Sequence, residues 1–476
     1  MKRLQSISLV ACLLATIGPA SATDWPVFGF DAARTSFNSA EHSLGVATVG
    51  RLRARWQISY GTLADTAPIL LEHVRLRGGV VAPMLFQTTN SGVTLGVNAT
   101  TGKILWRFAT SGPHITTAMP AADPSGSAIY AAGVDGFIHK LDAATGRQLR
   151  APGFPARITR IPQTEKDASG FNLANGYLYA TTSGYDGDAP YYDGHVLAVN
   201  LVSGSTRVFN SLCSSQHVLP TSSFCPESDS GIWARGGVVV DPDASMHGAI
   251  YAATGNGEFN ANKGGDDYGD SVISLSTDAS HLLASYTPKS EESLDTGDVD
   301  LGSTSPGMLP RQNGSRTPLM LVQGGKDAVL RLLDRAPLPG GLGHELQEVQ
   351  LPSGLWASPA VWTDRAGRTF VFISTSNELD AFRVVTAAGR SRLISAWHSN
   401  AGSTNGEGTT PAIANGLVFV AYDNALLAFD AETGRTLWSS TRTGRTIGPV
   451  HWESPIVVNG WVYCADQNGH LTAYSL

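Results

Sequence analysis

From about residue 50 to the C-terminus, short apolar stretches alternate with clusters of Gly, Asn, Asp, Ser and Thr, and apolar and polar positions alternate within many stretches. That periodicity predicts β-strands separated by tight turns. A longer repeat overlies it. Each unit begins with a small or Pro-containing strand, turns at Gly, Asn or Asp, continues through an apolar strand, and ends in a strand pair joined at Asp/Asn–Thr–Gly. The clearest copies are GVNATTGKILWRF (96–108), HKLDAATGRQLR (139–150) and LAFDAETGRTLWSS (427–440). Weaker copies are LAVNLVSGSTRVF (197–209), ISLSTDASHLLASY (273–286), LRLLDRAPLPGG (330–341) and LDAFRVVTAAGRSRLISAW (379–397).

The ends of the chain complete the count. HLTAYSL (470–476) has the first half of a unit and stops, while RLRARWQISYG (51–61) supplies the missing strand with its Trp. Seven full units and one divided between the termini make eight, with a repeat of roughly 53 residues. A three- or four-stranded sheet cannot bury both faces alone, and radial stacking solves this while protecting the edges. The expected fold is therefore all-β: one eight-bladed propeller over 23–476, closed by an N-terminal strand that completes the last blade. In the turn, Asp and Thr act as caps, Gly supplies a positive φ, and the following Trp packs on the neighbouring sheet. Trp56, Trp106, Trp397 and Trp438 are read as structural on this basis.

Composition narrows the function. A net charge of −7, a pI near 5.9 and no Lys/Arg cluster argue against nucleic acid as a partner. After the N-terminus no stretch is apolar enough to span a bilayer. Residues 1–22 read as a signal peptide: Lys2 and Arg3, the apolar run Ser8–Ile17, then Ala20, Ser21 and Ala22 as the cleavage site. A periplasmic or secreted protein is expected. The run before Cys12 offers the alternative of a lipoprotein anchored there. In an oxidising compartment Cys213 and Cys225 are expected to pair, and Cys464, inside WVYCA, to be a buried thiol. Neither a zinc motif such as HExxH nor a GxSxG elbow is present. Asp266, Asp267 and Asp270 read as a solvated acidic loop.

The AxDxxTGxxxW repeats resemble the pyrroloquinoline-quinone (PQQ) repeat of quinoprotein alcohol dehydrogenases. They also resemble the propeller of the outer-membrane-protein assembly lipoprotein, which shares the repeat without the cofactor. The likeness covers essentially the whole mature chain and implies a quinoprotein-type propeller. Four segments lean toward the dehydrogenase branch. GIWARGGVVVDP (231–242) resembles that family's Trp segment, which would set Trp233 beneath the quinone. YAATGNGEF (251–259) is similar to its TGN segment, which would make Asn256 a Ca²⁺ ligand. LDTGDVDLG (294–302) falls at its aspartate segment, implying Asp298 as base and further metal ligand, with Asp300 beside it. VQGGKDAVLRLLDR (322–335) implies Lys326 as the cation near the quinone oxygens.

The chemistry is coherent on its own terms: a planar polyanionic quinone needs a stacking surface, cations and a hard metal ion. An aspartate near a substrate hydroxyl could take its proton. In SGYDGDAPYYDGHVLAVN (183–200) the family's metal-binding glutamate falls at Ala189, beside Asp188, and an arginine position falls at Asp193, reversing the charge. The family's adjacent-cysteine disulfide is absent. Two expectations follow. One is a PQQ- and Ca²⁺-dependent dehydrogenase of alcohols or sugars that hands electrons to a separate acceptor. The other is a cofactor-free envelope scaffold that binds a protein partner.

Overall fold

The computed structural model describes residues 22–400, 402 and 408–476. The signal peptide expected over 1–22, with Cys12, lies outside the described residues apart from Ala22. The described chain folds into eight sheets, each built on an antiparallel meander, the seventh gaining Phe37–Asn38 as a parallel strand beside Ala412–Ala414. Blade 1 runs Ile69–Arg75, Val81–Thr88, Val93–Asn98 and Ile104–Ala109. Blades 2 to 7 follow in order, with inner strands beginning at Ala121, Asn172, Val239, Gly307, Ala360 and Ala412. Blade 8 comprises Ile456–Val458, Trp461–Ala465, His470–Ser475 and, from the other end of the chain, Arg53–Ser59. The ring closes as expected, with Gln57 opposite Thr472.

Burial grades from the axis outward, and the residue pattern explains why. The second strand of blade 7, Leu417–Tyr422, is buried at every position because both faces meet neighbouring blades. Outer strands such as Arg390–Asn400 expose alternate residues. Among the described residues there is one α-helix, α1, Glu291–Thr296; it is a single turn and a half on the way from blade 4 to blade 5, and no described helix could cross a membrane.

The Thr–Gly turns rivet adjacent blades. Asp142 Oδ1 accepts from both the backbone N–H (2.8 Å) and the hydroxyl (2.7 Å) of Thr145. The Trp of one blade lies on the turn glycine of the next, as Trp106 does on Gly146, where a Cβ would collide with the indole. Its Nε1 donates to Ala143 O at 3.0 Å. Trp56 repeats this with Ala99 O (3.1 Å), Trp397 with Ala431 O (3.1 Å), and Trp438 donates to Leu52 O (3.2 Å). Blades 4 and 5 lack the Trp and use a buried ion pair instead, Arg335 Nε to Asp241 Oδ2 at 2.6 Å.

The segment before the first blade has a role its sequence does not announce. Residues 24–38 cross the axis and meet the inner strand of seven blades. Trp25 pairs with Leu70, Pro26 O accepts from Ala122, Ala32 O accepts from Asn172 Nδ2 and Val240 N, Thr35 O from Val361 and Ser36 O from Ile413; Asn38 Nδ2 donates to Val457 O. Arg34, buried, donates to the carbonyls of Phe28, Gly170, Phe171 and Gly236. This end of the axis is closed.

Candidate functional site

In an antiparallel blade, the segment entering the first strand and the turn joining the second strand to the third lie at the same end of the ring. That end is opposite the Thr–Gly turns. Trp233, Asp298, Asp300, Trp356, His451 and Trp452 occupy entering segments, and Asp188, Asn256 and Lys326 occupy second-to-third turns. All nine line one axial pocket of about 260 Å³, with Asp65, Lys166 and Arg235 among the other residues of its wall.

The expected site residues from 231–326 are joined directly. Asp300 Oδ1 accepts the backbone N–H of Asn256 at 3.0 Å and faces Trp233 Nε1 at 3.5 Å. With its amide nitrogen turned toward Asp300, Asn256 also donates to that carboxylate through its side chain. Lys326 Nζ binds Asp298 Oδ1 at 2.8 Å and pairs with Asp300 Oδ2. Burial opposes the charge on Lys326, but Asp300 and Asp298 outweigh it and hold the ammonium above its usual value. The two aspartates differ in setting: the Asp298 side chain is 68% exposed at the mouth, on a residue with φ of 50°, and that of Asp300 is 7% exposed.

Asp188 also reaches the pocket, accepting from Tyr192 Oη at 2.9 Å. Burial, and then the charges of Asp300 and Asp298, hold its carboxyl above the usual range. Asp193 does not reach it. It is buried in blade 3 with Ser211 Oγ 3.2 Å away, and burial followed by Glu165 holds it well above its ordinary value, so the charge reversal read from the sequence does not enter the pocket.

Three indoles form the apolar wall. Trp233 lies 5.9 Å from Trp356 and 6.0 Å from Trp452, centroid to centroid. The Arg235 guanidinium sits 3.7 Å from the Trp452 ring, and His451 stacks on that ring at 3.5 Å. Asp65, held by Asn90 through two 2.7 Å hydrogen bonds, lies 3.6 Å from His451 Nδ1. Sequence reasoning passed over Trp356, Trp452, Lys166, Arg235, His451 and Asp65. A signal existed for the indoles: WASP (356–359) and WESP (452–455) occupy the blade position of WARG (233–236).

Cys213 and Cys225 are bonded as expected, and Cys464 is buried with its thiol pushed well up by burial. The bridge fastens the loop behind the pocket wall, since Cys225 N donates to Tyr191 Oη at 3.0 Å and Cys213 N to Asp267 Oδ1 at 2.7 Å. Asp267 and Asp270 are therefore buried acceptors, not a solvated loop, and Asp270 Oδ1 takes Leu301 N at 2.8 Å. Among the described residues, the cluster of three metal-type side chains with ligand atoms mutually within 4.8 Å is Cys213, Cys225 and Asp267, whose sulfurs are joined to each other. The pocket acids form no such closed set.

The comparisons with known proteins agree on the architecture. A stretch of 112 residues is 30% identical to polyvinylalcohol dehydrogenase of Sphingopyxis sp. (strain 113P3), spanning 22% of this chain and 15% of that protein. The structure superposes on quinohemoprotein alcohol dehydrogenase from Comamonas testosteroni with a TM-score of 0.67 at 15% identity, over 96% of this chain and 81% of that one. On BamB from Moraxella catarrhalis the TM-score is 0.53 at 13% identity, over 89% and 100%. The PQQ-repeat family model described as outer membrane protein assembly factor BamB matches residues 53–257 and 381–476. The chain belongs to this family of PQQ-repeat β-propellers.

Proposed function

We propose that the chain is an exported dehydrogenase that binds PQQ with Ca²⁺, oxidises an alcohol or sugar hydroxyl, and passes the electrons to a separate acceptor. The observation that carries this reading is the convergence of Trp233, Asn256, Asp298, Asp300 and Lys326, from the segments of two successive blades, in one axial pocket. The pocket suits a flat polyanion, with three indoles for its faces and Lys166, Arg235 and Lys326 for its charge. It also suits a hard cation in donor chemistry, because Asp188, Asn256 and Asp298 offer oxygens. Burial first, and then the neighbouring charges of Asp300 and Asp298, hold the Asp188 carboxyl up, and a bound cation would relieve the second of these.

When bound, the quinone would supply the hydride acceptor and the ion the polarisation of its carbonyl. The chain's own residues handle the proton. Lys326 holds Asp298 through Oδ1, which leaves Oδ2 at the mouth to take the proton of a substrate hydroxyl. Asp300 fixes the Lys326 ammonium from within and is itself fixed by Asn256. Trp356 and Trp452 give the same pocket apolar surface beside Trp233.

One feature favours a second reading, a cofactor-free envelope scaffold with a protein partner: Lys326, Asp298 and Asp300 already satisfy one another. Calorimetric titration of the purified protein with PQQ, with and without Ca²⁺, separates the two. Calcium-dependent binding that is lost in Trp233→Ala supports the dehydrogenase. No heat at tens of micromolar PQQ in either condition overturns it in favour of the scaffold.

A further inference from the structure

The axial pocket holds two lysines in opposite states. Lys326 is clamped between two carboxylates. Lys166 is the middle residue of Glu165–Asp167, a short strand paired with the end of the second strand of blade 3. Alternation along that strand turns Glu165 and Asp167 into the protein interior and Lys166 into the pocket. Among the described residues no carboxylate lies within ion-pair distance of its Nζ. Its nearest aromatic neighbour is Tyr185, 5.4 Å from Nζ to the ring centroid. Burial opposes its charge most, Arg235 of the same wall adds to that, and Asp186, Asp188 and Asp65 favour it.

We infer that Lys166 is a nucleophilic amine that captures small aldehydes and ketones in the axial pocket as imines. A desolvated lysine beside a second cation is the arrangement that makes an amine available for carbonyl chemistry. In the step, the Nζ lone pair bonds to the carbonyl carbon, the carbonyl oxygen leaves as water carrying both amine protons, and a C=N bond remains; nothing is oxidised or reduced. Burial, and then Arg235, bring the Lys166 ammonium down to about 8. About one molecule in ten then carries the free amine at pH 7, against on the order of one in three thousand for an ordinary lysine. The inference does not depend on a bound quinone. Were the pocket to oxidise hydroxyls, its carbonyl product would form within reach of this amine.

The test uses the purified protein without added cofactor. A short pulse of propanal with cyanoborohydride converts the imine into a stable secondary amine, and the chain's seven lysines are few enough for peptide mass mapping to resolve each. At pH 7 to 8, Lys166 should be alkylated at least tenfold faster than Lys103 or Lys263, and its rate should level off above about pH 8 while theirs keep rising. Lys166→Arg should abolish the fast adduct, and Arg235→Gln should move the levelling-off point to higher pH. Labelling of Lys166 no faster than Lys326 or the surface lysines, or a rate that still climbs at pH 10, would overturn the inference. Because quinone binding is read separately, its failure leaves this result standing.

Discussion

Asp300 Oδ1 lies 3.0 Å from the backbone nitrogen of Asn256, a hydrogen bond that ties the turn of blade 4 to the segment entering blade 5. Through Lys326 the same carboxylate reaches blade 5 itself. A loss at any of these residues should therefore propagate to the others. Asn256→Ala and Asp300→Ala should each weaken calcium-dependent PQQ binding at least tenfold, about 1.4 kcal/mol. Far-UV circular dichroism should stay unchanged, because neither side chain belongs to a strand. Calorimetry on both variants checks this, and wild-type affinity in both would remove the pair from the site.

Arg335 and Asp241 make the junction of blades 4 and 5. Both side chains are fully buried, with a second contact from Nη2 to Oδ1 at 3.1 Å, and Arg335 Nη1 donates to Leu309 O at 3.0 Å and to Met320 O. Removing one partner leaves a charge buried without its counter-ion, which costs about 3–5 kcal/mol. Asp241→Ala should lower the urea midpoint accordingly, and adding Arg335→Met in the same chain should recover part of the loss. A single variant as stable as the parent would count against the rivet.

The dependence of stability on pH has a readable sign. Burial pushes Glu165 and Glu453 up to about 8. The folded state therefore holds protons that the unfolded state has released above its ordinary carboxylate value, and stability falls as pH rises toward 8. Burial brings His195 down to about 4, which acts oppositely up to its ordinary value near 6.5. The decline should thus be clearest between about pH 6.5 and 8, at roughly 1 kcal/mol per pH unit for each acid. Denaturation series across that window should show it, and Glu165→Gln or Glu453→Gln should each flatten the slope.

The Cys213–Cys225 bridge closes a loop with a sequence separation of 12. Reduction, or Cys213→Ser with Cys225→Ser, should cost about 3 kcal/mol by loop-closure entropy. Since Tyr191 and Asp267 lean on the same loop, PQQ affinity should fall as well. Unfolding midpoints and titrations with and without reductant measure both effects.

The Thr–Gly turns made the fold legible because each states its geometry locally: a cap, a positive-φ glycine and an indole for the next blade. The candidate site was legible where a motif marked it, as at Trp233 and Asn256. Spacing alone could not separate Asp298 from Asp300, because the turn that exposes one and buries the other is set by contacts with blade 5. Lys166 was hidden for a different reason. Between Glu165 and Asp167 no motif marks it, and only the pairing of that strand turns its neighbours inward. The stretch 24–38 had no period at all, since its bonds are single hydrogen bonds made from an irregular backbone with positive φ at Phe30, Arg34 and Ser36.

That stretch changes how the ring should come apart. In a repeat array each unit senses only its neighbours, and such arrays can fray from one end. Here a single stretch of chain touches seven of the eight blades, so none of those seven can loosen without disturbing a segment that the other six share. The segment acts as a hub, and it gives a structure built from eight similar parts the cooperativity of one.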